Sequence, residues 1–358
     1  MKVPWKDMPL REVLKLEYGK PLDEADRKPN GRYPVYGANG VKDRSNKFYF
    51  DKPSIIVGRK GSAGEVNLTE EKFWPLDVTY FVTFDDRQYE LRFIYYLLTI
   101  LDLPSLAKGV KPGINRNEVY SQVTKFPPLP EQRRIVGVLD KAFEGIAKAK
   151  ANTDKNLQNA RALFESHLNS VFTKRGKGWV ETTVDKISTN LDSRRIPITK
   201  GDRKNGKYPY YGASGIVDYV DDYIFEEDTL LISEDGANLL ARSTPIAFSV
   251  SGKYWVNNHA HILKFENIAT QRFVEFYLES IKLDEYITGA AQPKLNQKAL
   301  NSIPIPIPKS VETQAEIVFR IKSILKESQN LETTYRRKLA ALEELKKSLL
   351  HQAFNGEL

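Results

Sequence analysis

The chain spells out one segment twice. Gly31-Arg32-Tyr33-Pro34-Val35-Tyr36-Gly37-Ala38-Asn39-Gly40-Val41-Lys42-Asp43 returns 175 residues later as Gly206-Lys207-Tyr208-Pro209-Tyr210-Tyr211-Gly212-Ala213-Ser214-Gly215-Ile216-Val217-Asp218, identical at eight of thirteen positions. A repeat of this kind implies two copies of one folding unit. Further landmarks keep the order: Trp5 and Trp179, Phe73-Trp74 and Tyr254-Trp255, Arg92-Phe93 and Arg272-Phe273. Gly109, Pro112 and Asn115 then match Gly289, Pro293 and Asn296. Each copy leaves through prolines, Phe126-Pro127-Pro128-Leu129-Pro130 and Ile303-Pro304-Ile305-Pro306-Ile307-Pro308.

Inside each copy, β-branched and aromatic runs at Ser54–Gly58, Thr79–Phe84, Thr229–Ser233 and residues 260–265 predict strands. Apolar spacing over residues 93–101 and 273–281 predicts short helices. After the prolines the pattern changes. Residues 131–173 contain no proline, and Ile135, Leu139, Ala142, Ile146, Leu157, Ala160, Phe164, Leu168 and Val171 largely keep helical spacing. Residues 311–354 contain neither Pro nor Gly, and Ile317, Ile321, Leu325, Leu331, Leu339, Leu342, Leu345 and Leu349 do the same. A helix of about 43 residues spans about 65 Å at roughly 1.5 Å per residue, a coiled-coil length. The alternative is two broken helices lying on their own domains, because Lys150, Thr153 and Ser328 interrupt the stripes. The helices also correspond, Gln132 with Gln314 and Ile135 with Ile317. The expected fold is α+β. Two pseudo-repeated α/β domains, residues 1–130 and 177–308, are separated by two long helices, residues 131–176 and 309–358, packed as an antiparallel coiled coil.

The net charge of +8 is compatible with nucleic acid, but its distribution is uneven. Residues 1–130 hold 21 Lys+Arg against 17 Asp+Glu, whereas residues 177–308 hold 15 against 17. Any DNA contact in the second copy therefore needs a local basic or neutral surface, with the acidic side chains turned elsewhere. With no cysteine, the chain has no thiolate metal site or thiol nucleophile and fits a reducing cytoplasm. No leader or membrane span is expected. Gly58-Arg59-Lys60-Gly61-Ser62-Ala63-Gly64 has the wrong spacing for a phosphate loop, and no adenine-methyltransferase Asn-Pro-Pro-[Tyr/Phe] segment occurs. His259 and His261 on a strand would share a face, yet two histidines do not complete a zinc site. No catalytic, cofactor-binding or metal-binding residue is expected.

Two diverged heads at fixed spacing suit duplex DNA, with unlike half-sites and an unread spacer of at most roughly 19 base pairs at 3.4 Å each. Base edges call for hydrogen-bonding side chains, and phosphates for cations. Candidates in the first head are Asn39, Lys42, Arg44, Arg59, Lys60, Lys108, Lys111, Asn115 and Arg116. In the second they are Ser214, Arg242, Gln292, Lys294, Asn296 and Gln297, with a basic run of Arg194, Arg195, Lys200, Arg203, Lys204 and Lys207. The shared Gly-x-Tyr-Pro segment is expected mainly to shape and pack the domain, since heads reading different sequences would not share base contacts. Positions where the copies differ, such as Arg59-Lys60 against Glu234-Asp235, are the stronger candidates.

Several of these marks resemble the specificity subunits of type I restriction–modification enzymes, over essentially the whole chain. They are the duplicated Tyr33-Pro34-Val35-Tyr36-Gly37 and Tyr208-Pro209-Tyr210-Tyr211-Gly212, the helix opening Pro128-Leu129-Pro130-Glu131-Gln132, and the close Ser348-Leu349-Leu350…Ala353-Phe354-Asn355-Gly356. The second opening, Pro308-Lys309-Ser310-Val311-Glu312-Thr313-Gln314, departs from the pattern. The resemblance implies a non-catalytic subunit that binds double-stranded DNA at a bipartite asymmetric site. It further implies scaffolding of two modification subunits, with two restriction subunits in a full complex. S-adenosylmethionine, ATP and Mg would be used by those partners. Arg133, Arg134, Arg336 and Arg337 are the expected partner contacts. A stand-alone two-headed DNA-binding protein and a coiled-coil adaptor without a DNA role are the competing readings.

Overall fold

The computed structural model describes residues 5–289 and 291–358. Residues 1–4 and Ala290 lie outside them. The chain divides into two compact units: everything up to Thr153 together with Arg337–Leu358, and Asp154–Arg336.

In the first unit an antiparallel sheet runs in the order Leu14–Tyr18, Thr79–Phe84, Ser54–Gly58, Val66–Thr69. Ser54–Gly58 is buried throughout, which is why it reads as a continuous apolar run. A second sheet holds Tyr33–Gly37 between Gly40–Ser45, antiparallel, and Trp74–Pro75, parallel. Lys6–Pro9 pairs with Val123–Phe126. The second unit repeats this plan. Its sheets run Thr189–Asn190, Ala260–Lys264, Thr229–Ser233, Ala247–Val250 and Gly215–Val220, Asn205–Gly212, Trp255–Val256, with Trp179–Thr183 paired to Pro304–Pro308. Even a register shift recurs, between Val35 and Tyr36 and between Tyr210 and Tyr211.

The repeated sequence segment is thus a β-hairpin. Gly37 pairs with Gly40 and Gly212 with Gly215 across two-residue turns. Gly40 and Gly215 take φ of +116° and +122°, a region that L side chains rarely adopt. Tyr36 and Tyr210 are buried. The proline-rich exit of the second copy is itself a strand. Its prolines alternate, so period two sets all three imides along one edge while Ile305 and Ile307 fill the core.

Helices Leu91–Ile100 and Ile268–Ser280 begin earlier than apolar spacing predicts, because capping side chains set their starts. Glu90 accepts from Phe93 N and Asn267 from Thr270 N. The long helices are continuous over 45 residues each, Leu129–Thr173 and Val311–Asn355, or about 67 Å. The broken-helix alternative does not hold.

Within the first unit the start of the first long helix lies antiparallel to the end of the second. Ile135, Val136 and Leu139 share a core with Leu350, Ala353, Phe354 and the head, and Lys150 Nζ lies 2.6 Å from Glu343 Oε1. Within the second unit the end of the first helix meets the start of the second. Leu168, Phe172, Val318 and Ile321 join that head's core. Ser328 Oγ donates across the pair to the Ala160 carbonyl at 2.8 Å. The polar interruptions are therefore absorbed: Lys150 and Ser328 across the helix pair, Thr153 by its own Ala149 carbonyl. Leu331 and Leu345 are exposed despite their place in the spacing.

Each head grips its helices in the same way. Phe93 meets Phe354 at 4.9 Å between ring centroids, and Phe273 meets Phe172 at 5.3 Å. Gln132 Nε2 donates to the carbonyls of Pro127 (2.9 Å) and Gln88 (3.2 Å), while its Oε1 accepts from Glu90 N (2.9 Å). Its repeat, Gln314, donates to the Pro308 carbonyl (2.7 Å) and accepts from Thr270 Oγ1 (2.6 Å). No helix of the described residues is long and apolar enough to cross a membrane.

Candidate nucleic-acid interface

One loop edge collects most of the polar candidates of the first head. It is built where Ser54–Gly58 ends. Arg59 N donates to the Val78 carbonyl (2.9 Å), Ile114 N to the Arg59 carbonyl (3.0 Å) and Gly61 N to the Pro112 carbonyl (2.9 Å). A Cβ on Gly58 would sit 2.6 Å from the Ala38 carbonyl, which brings the hairpin turn to the same edge. Burial pushes the Tyr80 phenol up, so it stays protonated and donates to the Ile114 carbonyl at 3.3 Å. The Arg59 and Arg116 guanidinium groups lie 5.4 and 5.1 Å from the Tyr18 ring centroid. Arg59 also donates twice to the Asp77 carbonyl, at 3.0 and 2.6 Å. Lys60 and Lys111 are exposed beside them.

The second head lays down the same frame. Glu234 N donates to the His259 carbonyl (2.9 Å), Leu295 N to the Glu234 carbonyl (2.8 Å) and Gly236 N to the Pro293 carbonyl (3.0 Å). Ser233 Oγ donates to the Ala213 carbonyl of the hairpin turn. His261 takes the place of Tyr80 and faces the equivalent carbonyl, Leu295 O, through Nε2 at 2.7 Å. The chemistry mounted on this frame is reversed. His261 Nδ1 lies 2.5 Å from Asp192 Oδ2, Arg195 Nη1 lies 2.6 Å from Glu234 Oε2, and Lys294 Nζ lies 3.3 Å from Glu234 Oε1. Both nitrogens of His261 face oxygens, Nδ1 the Asp192 carboxylate and Nε2 the Leu295 carbonyl. Burial pushes the Asp192 carboxyl up, but His261, Ile262 N–H and Arg195 outweigh it and hold it below the usual value. Glu234 is likewise held down, with Arg195 and His261 outweighing burial. Asp192, Glu234 and His261 lie close enough to hold a cation, yet the Arg195 guanidinium already supplies that charge. The expectation that His259 and His261 share a strand face is corrected. The strand starts at Ala260, so His259 belongs to the preceding turn and its side chain is 48% exposed, while His261 is 1% exposed.

The predicted residues sort into two groups. Asn39, Lys42, Lys60, Lys111, Ser214, Gln292, Lys294 and Gln297 are exposed on the hairpins and loop edges, as are Lys200, Lys204 and Lys207 of the basic run. Lys294 also pairs with Glu234, and the others are engaged internally. Arg44 donates to the Gly31 and Arg32 carbonyls, both at 2.6 Å. Asn115 and Asn296 cap the short helices Arg116–Tyr120 and Gln297–Ser302. Lys108 pairs with Glu118, Arg194 with Glu227 (2.6 Å) and Arg203 with Asp218 (3.2 Å). Arg242, at φ +50°, donates to the Leu278 and Ile281 carbonyls at the end of its neighbouring helix. On the long helices, Arg133 and Arg337 are exposed. Arg134 pairs with Glu131 and donates to the Leu358 carbonyl (2.7 Å), and Arg336 lies 3.8 Å from Glu332. Sequence reasoning passed over Tyr18, because nothing in its surroundings marks it as the platform under two arginines. It also gave the matched Gln132 and Gln314 no role.

Two heads of one design, each presenting its own polar edge, define a protein with two unlike polar surfaces on a repeated scaffold. The family model described as "Type I restriction modification DNA specificity domain" matches residues 2–156 and 176–341, and the chain belongs to that family of non-catalytic specificity subunits. A Haemophilus influenzae protein that carries the name of a type I restriction enzyme specificity subunit is 36% identical over 135 residues. That match spans 38% of this chain and about a third, 34%, of that protein. The type I restriction enzyme EcoDI specificity subunit of Escherichia coli is 23% identical, with 99% of this chain and 89% of that protein covered. Among solved structures, the HsdS subunit from Thermoanaerobacter tengcongensis shares the fold with a TM-score of 0.63 at 16% identity, covering 100% of this chain and 98% of that one. A chain from a structure of type I R-M complex assembly and conformational transition gives a TM-score of 0.77 at 15% identity, covering 99% and 98%.

Proposed function

We propose that this chain is the DNA-sequence specificity subunit of a type I restriction–modification complex. It binds a bipartite, asymmetric duplex site and scaffolds two modification subunits, and two restriction subunits where these are present. One observation carries the reading: the heads keep a common backbone frame but reverse the charges mounted on it, Arg59-Lys60 against Glu234-Asp235. The common frame forms with either set of charges, so building it does not call for the reversal, whereas two unlike half-sites do.

In this reading residues 1–130 and 177–308 are the target-recognition domains, and residues 131–176 and 309–358 are the helical spacers. Asn39, Lys42, Lys60, Lys111, Arg116, Lys204, Lys207, Ser214, Gln292, Lys294 and Gln297 meet the duplex. Arg44, Arg59, Arg194, Arg195, Arg242, Asn115 and Asn296 shape the surface that carries them, and Arg59 and Arg116 also keep their charge at its edge. Arg133, Arg134, Arg336 and Arg337 face partner subunits. Those partners bring S-adenosylmethionine, ATP and Mg to the reaction, in the cytoplasm.

The test is competition binding by the complex with modification subunits, on a duplex carrying the full gapped site and on duplexes with either half scrambled. Scrambling either half should weaken binding by at least roughly 100-fold, within the span that separates specific from non-specific DNA binding. Equal affinity for all three duplexes would overturn the proposal.

A further inference from the structure

We propose that His259, oriented by Asp235, reads a base in the half-site bound by the second head. The inference rests on the DNA-binding role proposed above and assigns a contact to it.

His259 Nδ1 lies 3.0 and 2.9 Å from the two carboxylate oxygens of Asp235. That fork fixes the ring plane and places the proton on Nδ1. In that tautomer Nε2, on the side of the ring away from Asp235, is the acceptor. The backbone beneath is held at three points. His259 N donates to Asn257 Oδ1 at 2.8 Å, the His259 carbonyl accepts from Glu234 N at 2.9 Å, and Asp235 bridges to Lys294. Glu234 is in turn locked by Arg195 and Lys294. Burying such a charged network costs free energy, and one return for that cost is a defined local conformation.

A surface histidine pair of no consequence would not need this support. The position also differs between the heads. By strand register and offset, Val78 and Lys60 occupy the places of His259 and Asp235 in the first head. A residue that differs between copies, sits on the edge that holds Gln292 and Lys294, and carries a fixed acceptor has the properties of direct readout. Its acceptor matches the exocyclic amino group of adenine or cytosine in the major groove.

The experiment measures binding of the assembled complex to a panel of duplexes in which each position of the site is varied in turn. The proteins compared are wild type, His259→Ala and Asp235→Ala. Wild type must first discriminate in both half-sites; if it does not, the DNA-binding reading itself fails. Given a wild-type motif, His259→Ala should lose about 10- to 100-fold of discrimination at one adenine or cytosine of one half-site. Asp235→Ala should weaken the same position, and the other half-site should be unchanged in both variants. Retained discrimination at every position would overturn the proposal. So would loss spread over both half-sites, or loss confined to a guanine or thymine.

Discussion

Replacing Gln132 with alanine should loosen the first unit at its junction with the long helices and leave the second unit alone. The side chain is 1% exposed and makes three hydrogen bonds, to the carbonyls of Pro127 and Gln88 and from Glu90 N. Truncation strands one N–H and two carbonyls in an interior where each unmet group costs roughly 1–3 kcal/mol. Carbonyls tolerate a lost partner better than N–H groups do, so the sum is about 3 kcal/mol rather than the upper limit. At ~1.4 kcal/mol per tenfold, opening of this junction rises roughly 100-fold. Hydrogen exchange read by mass spectrometry on peptides covering residues 88–93 and 127–135 reports that opening directly. Peptides around Gln314 serve as the internal control, and Gln314→Ala should give the converse pattern. A change below about threefold, or an equal change in both units, would refute the view that each glutamine clasps its own head to the helices.

Three further outcomes follow from the same geometry. Asp192→Asn should destabilise the second unit most at neutral pH. The native carboxyl is held below its ordinary value, so its contribution is present above the unfolded pKa of about 3.9 and fades as pH falls through the folded value. Urea denaturation at pH 7 and pH 3, followed in the second unit, should therefore give a wild-type-to-variant difference that shrinks on acidification. Gly64→Ala should be much more damaging than Gly215→Ala in thermal melts. Both residues have positive φ, but only at Gly64 would a Cβ meet backbone, Pro104 N at 2.3 Å; at Gly215 the cost is conformational strain of about 1–3 kcal/mol. Lys60→Ala and Lys111→Ala in the complex should each lower the slope of log affinity against log salt by about 1, if each meets a phosphate. Unchanged slopes would remove them from the interface.

Much of this architecture is legible in the sequence. Long-range repetition is visible in sequence because Gly40 and Gly215 both take positive φ at equivalent turns, and because Asn115 and Asn296 cap equivalent helices. The buried central strands declared themselves by composition, and the long helices by unbroken spacing. What escaped depends on partners distant in sequence. Arg44, Arg194 and Arg242 read as free cations, yet each finds its acceptor only after folding. His261 and His259 look like a pair on one face, but the strand begins between them and sends one inward and one out. Strand Pro304–Pro308 was hidden by its prolines, which are tolerated only because they alternate along a free edge.

The most direct test of the central claim is adenine methylation mapping in cells that express the modification subunit of this system with and without the chain. The account predicts methylation at a single gapped, asymmetric motif that is present only when the chain is co-expressed. A stable complex that leaves no such motif, or the same motif without the chain, would contradict it.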